Sequence, residues 1–119
     1  MSDKTMESCK IVSQERIGTD IYSMWLQTSQ IAKNASPGQF VSVYCRDGSR
    51  LLPRPISICE IDRQRDQLRL VYRVAGKGTK EFSRLHPGVA LRVMGPLGNG
   101  FPLKEAQDKK VLLVGGGIG

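Results

Sequence analysis

Apolar and polar residues alternate with a period of two through several stretches of the chain, which is how a strand with one buried face is written in sequence. In Gln67-Leu68-Arg69-Leu70-Val71-Tyr72-Arg73, Leu68, Leu70 and Tyr72 fall on one side. The pattern predicts strands over residues 8–16, 21–28, 39–45, 56–61, 67–74 and 90–94. Turn residues separate them at Gly18-Thr19-Asp20, Ala35-Ser36-Pro37-Gly38, Asp47-Gly48-Ser49 and residues 62–66. Six short, half-buried strands favour a small antiparallel barrel or sandwich, because an open sheet of that size leaves edges and a face uncovered.

Four segments break the period. Over residues 79–85, Phe82 and Leu85 stand three apart, which predicts one short helix with Thr79 as its N-cap and His86-Pro87-Gly88 as its stop. His86 is then a helix-end residue rather than a base. Gly95-Pro96-Leu97-Gly98-Asn99-Gly100-Phe101-Pro102 is too rich in Gly and Pro for a regular element and is expected to be an ordered loop leaving the barrel. Residues 104–110 are polar and linker-like. Val111-Leu112-Leu113-Val114 is a continuous apolar run, expected to be a strand buried on both faces, and it leads into Gly115-Gly116-Gly117-Ile118-Gly119. That is how a nucleotide-binding βαβ unit opens, yet no helix follows before Gly119. The chain is therefore expected to be a fragment, with residues 1–104 forming one domain and residues 105–119 a linker and the start of a second.

With 119 residues, 39% of them hydrophobic and 24% charged, the composition is that of one globular domain, not of a disordered or collagenous chain. No apolar run approaches the ~20 residues that cross a bilayer, and residues 1–10 lack a secretory signal, so a cytoplasmic location and no membrane span are expected. Cys9, Cys45 and Cys59 are an odd set without Cys-x-x-Cys spacing, which points to ordinary strand cysteines rather than a disulfide framework or a metal centre. The formal charge is +7, and between Arg46 and Arg92 eleven basic residues face five acidic ones. That concentration suits a nucleic acid, a phosphate-bearing cofactor or an acidic protein surface, or else a solvated face without a partner.

Two constellations narrow the choice. In Pro53-Arg54-Pro55-Ile56-Ser57-Ile58, prolines on either side of Arg54 hold the backbone extended and fix the direction of the guanidinium, with the Ser57 hydroxyl at strand spacing beyond Pro55. A directed arginine beside a hydroxyl suits a ligand with a phosphate at one point and a polar heterocycle at another. In Val71-Tyr72-Arg73-Val74-Ala75-Gly76-Lys77-Gly78-Thr79, a strand runs through a glycine turn into a helix, which collects free amide hydrogens at Gly78 and Thr79. Together they favour a pyrophosphate site.

Taken in order, Pro37-Gly38-Gln39-Phe40, Arg54-Pro55-Ile56-Ser57-Ile58, Tyr72-Arg73 with Gly76-Lys77-Gly78-Thr79, Gly95-Pro96-Leu97-Gly98-Asn99-Gly100-Phe101 and Leu113-Val114-Gly115-Gly116-Gly117 resemble the ferredoxin-reductase-like flavoproteins. Within that family the chain is most similar to the electron-transfer subunits of the class B, NAD-dependent dihydroorotate dehydrogenases. The Gly-Pro-Leu-Gly-Asn-Gly-Phe loop is shared with related sulfide dehydrogenase and ferredoxin:NADP reductase subunits. The resemblance implies an all-β fold, a six-stranded antiparallel barrel with one short helix that binds FAD, ending in the first strand of an NAD-binding domain. By motif position, Arg54 would contact the FAD phosphates and Ser57 the flavin ring, with Pro55 and Ile56 shaping the backbone between them. Val71, Tyr72 and Arg73 would line the flavin and its ribityl chain, and Gly78 and Thr79 would bind the diphosphate. It further implies an oxidoreductase component of pyrimidine biosynthesis, in which a [2Fe-2S] cluster and NAD belong only to the complete protein. The implied partner is an FMN-containing catalytic subunit, in a heterotetramer. No residue here need be catalytic or bind metal. One rival from another class, a basic nucleic-acid-binding barrel, requires exposed aromatics among the basic residues, and the segment from Arg46 to Arg92 holds only Tyr72 and Phe82; another is an interaction module that keeps the barrel without a cofactor.

Overall fold

Each alternating segment forms a strand in the computed structural model, which describes residues 4–44 and 53–119. The strands are β1 (Thr5–Gly18), β2 (Ile21–Gln27), β3 (Phe40–Tyr44), β4 (Arg54–Asp62), β5 (Gln67–Arg73) and β6 (Ala90–Leu97). They close into an antiparallel barrel in the order β1-β2-β5-β4-β3-β6. Inward positions follow the period: Cys9 and Ile11 on β1, Val41 and Val43 on β3, Leu68, Leu70 and Tyr72 on β5, and Leu91 and Val93 on β6 are all buried. Fully buried side chains of the size of Leu26, Leu68 and Leu70 each contribute about 1.5–3 kcal/mol. The strand end at Cys45, the turn at Asp47-Gly48-Ser49, and Arg46 and Arg50 lie outside the described residues.

Two short helices pack against the core, and a third is exposed. The sequence pattern predicts one, and the described residues hold three: α1 (Ile31–Asn34), α2 (Lys77–Ser83) and α3 (Leu103–Ala106). With four residues each, α1 and α3 are too short to show a helical period. The seat of α1 is a carboxylate on β1. Glu7 accepts the backbone N–H groups of Ser29 (2.6 Å), Gln30 (2.7 Å) and Ile31 (2.9 Å), while Ile31, Ala32 and Ala35 are buried against the core. At α2, Phe82 plugs the core, and Gln14 donates to the carbonyl oxygens of Phe82 (2.8 Å) and Leu85 (2.9 Å).

Three local expectations are corrected. Thr79 is not the N-cap of α2. The helix starts two residues earlier after Gly76, and the Thr79 hydroxyl accepts the N–H groups of Ala75 (2.9 Å) and Gly76 (3.2 Å) from the third helical position. Gly95, Pro96 and Leu97 belong to β6 rather than to a loop. Gly95 pairs with Thr5 where an added Cβ would meet Val41 Cγ1 at 2.7 Å, so its missing side chain is what lets the strands stay close. Finally, Val111 to Val114 form no strand and stand 58–88% exposed, because the described residues offer them no parallel neighbour to pair with.

Candidate functional site

The barrel wall parts between β4 and β5. Antiparallel register between them begins only at Ile58↔Leu70 and runs toward the turn, so Arg54, Pro55, Ile56 and Ser57 pair with β3 but have no partners on β5. Pro55, which cannot donate to a ladder, sits in that half. Strand edges left open this way carry polar backbone groups that need a partner. A cleft of about 790 Å³ lies there, within the range of small-molecule sites.

Arg54, Pro55, Ile56 and Ser57 of β4, Val71, Tyr72 and Arg73 of β5, and Thr79 of α2 all line this one cleft. Gly78 does not; it is buried in the first turn of α2. Arg54 opens β4 and Arg73 closes the antiparallel β5, so both guanidinium groups stand at the same end, and α2 starts there after the short link 74–76. The first-turn N–H groups of a helix have no partner within it, and the Thr79 hydroxyl is turned back onto the preceding loop. The Tyr72 hydroxyl is likewise committed, donating to Gln14 Oε1 at 2.6 Å, and the ring stacks on Tyr22 at 5.9 Å. Burial, with a smaller push from Tyr22, raises the Tyr72 pKa and keeps the phenol neutral.

Sequence reasoning assigned no role to several other lining residues: Gly38, Gln39, Ile58, Cys59, Ala75, Phe101, Ile118 and Gly119. Two signals were present. Pro37-Gly38-Gln39-Phe40 and the glycine loop ending at Phe101 are motifs of the resemblance, and the structure interlocks them. Gln39 accepts from Ser36 N (2.8 Å) and donates to Gly98 O (2.8 Å), and Phe101 N donates to Pro37 O (2.8 Å). Cys59 is the extra residue of a bulge between Ile58 and Glu60 and is exposed. Cys9 is buried, which pushes its thiol up to about 12, with Glu7 adding to the shift, so it is inert at neutral pH. Cys45 lies outside the described residues.

Five arginines of the basic segment fall into two groups. Arg63 donates to Ala35 O, Arg65 pairs with Asp62 (3.1 Å), and Arg69 binds Ser23 Oγ (2.8 Å) and Glu60 (3.5 Å). Those arginines serve the fold. Arg54 and Arg73 face the cleft, whose described lining has no Asp, Glu or His side chain. Phe82 is buried in the core, and Tyr72 is buried except where it borders the cleft, so neither is an aromatic exposed on the outer face of the basic segment. A cationic end beside open backbone suits an anionic ligand.

Residues 8–101 match the oxidoreductase FAD-binding domain family. The chain belongs to that family. As an FAD-binding domain it is 43% identical over 111 residues to the electron transfer subunit of dihydroorotate dehydrogenase B (NAD(+)) from Bacillus cereus, a match covering 92% of this chain and 43% of that subunit. The chain thus spans less than half the length of the curated relatives it matches. A solved NADH-dependent reduced ferredoxin-NADP oxidoreductase superimposes with a TM-score of 0.73 at 29% identity, over 79% of this chain and 34% of that one. A cytochrome P450 reductase from Amycolatopsis reaches 0.75 at 19% identity, over 91% of this chain and 33% of its own, which is a likeness of fold alone. The cleft of this FAD-binding domain fits the cofactor on its own terms: two arginines, a helix start and unpaired strand edges suit a diphosphate joined to a polar ring system.

Proposed function

We propose that this chain is the flavin-holding part of an electron-transfer subunit that links NADH to a dihydroorotate dehydrogenase in pyrimidine synthesis. The observation that carries it is the single cleft in which Arg54, Ser57, Arg73 and the start of α2 converge, in a chain 43% identical to such subunits over most of its own length. FAD supplies the redox chemistry when bound, exchanging electron pairs with a nicotinamide and single electrons with an iron-sulfur centre. Arg54 and Arg73 bind the diphosphate, helped by the first turn of α2 at Gly78 and Thr79. Pro55 and Ile56 hold the open edge of β4 extended, so that Ser57 sets its hydroxyl against the ring, and Val71 and Tyr72 wall the opposite side.

Residues 1–104 form this unit, and residues 105–119 lead into an NAD-binding domain. NAD and the [2Fe-2S] cluster are held by parts of the longer protein beyond this segment, and the partner is an FMN-containing catalytic subunit in a heterotetramer, in the cytoplasm. Among the described residues no helix is long and apolar enough to cross a membrane. Similarity to the ferredoxin-NADP oxidoreductase supports a second assignment within the same chemistry, a subunit serving a related reductase or sulfide dehydrogenase.

Gel filtration of the purified chain with FAD tests the site. The protein peak is expected to retain the visible absorbance of an oxidised flavin, and Arg54→Ala and Gly78→Trp are expected to lose most of it. Equal retention by parent and variants would sink the site assignment. Salt-sensitive retention on single-stranded DNA with no flavin uptake would instead favour a nucleic-acid barrel.

A further inference from the structure

We propose that Phe101 is a fixed aromatic wall for the flat ring of the bound cofactor, an inference that rests on the FAD assignment of the cleft. Three observations lead to it. First, the cleft has two unlike ends. Arg54, Arg73 and the start of α2 make one end cationic, whereas Phe40 pairs with both Ser57 and Leu97, and Ile58 N donates to Gln39 O (3.0 Å). Gly38, Gln39 and Phe101 are thereby brought to the Ser57 end, away from the arginines. A ligand whose phosphates lie on the arginines sets its ring system there.

Second, Phe101 lines the cleft with 65% of its surface exposed. Third, its position is held. Phe101 N donates to Pro37 O (2.8 Å), and Leu103 N donates to Phe101 O (2.8 Å). Gly38 lies beneath it at φ +99°, and an added Cβ there would come within 2.7 Å of Phe101 N and 3.0 Å of Phe101 Cγ. Gly98 and Gly100 make similar approaches to Phe40 and to Pro37 O, so the loop is clamped along its length by residues that have no side chain to intrude. A large apolar ring on a backbone held this way, and exposed at the mouth of a site, offers a flat face on which another ring system stacks.

The test is a titration of the purified chain with FAD, reading affinity and the flavin emission at saturation, since an aromatic ring stacked on a flavin quenches its fluorescence. Phe101→Leu keeps the apolar volume and removes the π face; Phe101→Trp retains a π face. Phe101→Leu is expected to bind roughly fivefold to tenfold more weakly than the parent, with brighter bound emission. Phe101→Trp is expected to keep both the affinity and the quench. Parent-like affinity and emission in Phe101→Leu would overturn the role of Phe101. If Arg54→Ala weakens binding while Phe101→Leu does not, the role of Phe101 alone falls; if the parent takes up no FAD, the cleft assignment falls with it.

Discussion

Removing the Glu7 carboxylate should release one end of the barrel. Its two oxygens accept the N–H groups of Ser29, Gln30 and Ile31 at 2.6–2.9 Å, and the Thr5 hydroxyl at 3.1 Å. These are N–H groups that α1 cannot satisfy for itself, and the side chain of its own N-cap, Gln30, makes no capping bond. Each charge-assisted bond is worth about 1.5–3 kcal/mol when well buried, but Glu7 is half-exposed, and water takes back much of that, so Glu7→Ala is expected to cost about 2 kcal/mol in all. In urea that moves the unfolding midpoint down by roughly 1 M. The pH dependence has a definite sign. Desolvation pushes the Glu7 pKa up, but hydrogen bonds from Ser29, Gln30, Thr5 and Ile31 outweigh it and hold the pKa below the ordinary 4.5. A carboxylate depressed in the folded state stabilises it above the unfolded pKa and loses that contribution as pH falls through the folded one. Urea melts of the parent should therefore weaken below about pH 4.5, and Glu7→Gln, already uncharged, should lose less over the same interval. A Glu7→Ala midpoint equal to the parent's at pH 7, or identical acid limbs in parent and Glu7→Gln, would refute this account of α1.

Three other substitutions probe the scaffold around the cleft. Phe82→Ala removes the ring that seats α2 on the core and is expected to cost about 3–5 kcal/mol by thermal or chemical unfolding. Gln14→Leu strips two bonds from the end of α2 and leaves the buried Tyr72 hydroxyl without its acceptor, for a loss of about 2–3 kcal/mol, and Tyr72→Phe in that background should recover part of it. Gly38→Ala forces a methyl group onto Phe101 N at φ +99° and is expected to destabilise by at least about 1 kcal/mol and to weaken FAD binding together with it, as calorimetry would show.

The barrel was legible because Leu68, Leu70 and Tyr72 alternate so cleanly with solvent-facing neighbours, and the same rule covers Val41 with Val43 and Leu91 with Val93. It misled where a residue type usually excluded from strands is required by packing, as at Gly95 beside Val41. Thr79 shows a different limit. Its hydroxyl does bond backbone N–H groups at a helix start, as its type suggests, but from inside the helix, and only the extended backbone at Gly76 decides which. Within the site, the arginines and the glycine turn announce themselves by charge and position. What the period could not reveal is that the β4–β5 ladder stops at Ile58, since register is a property of two strands together. Phe101 was hidden for the same reason: its place beside Ser57 depends on Phe40 pairing with both Ser57 and Leu97.

The central claim is that this cleft holds FAD by its diphosphate at the Arg54 and Arg73 end. Calorimetric titration of the purified chain with FAD and with riboflavin, which shares the ring but has no phosphate, tests it directly. FAD is expected to bind at least about tenfold more tightly, and Arg54→Ala combined with Arg73→Ala should close most of that gap. Equal affinities for the two ligands, or a gap untouched by loss of both arginines, would contradict the account.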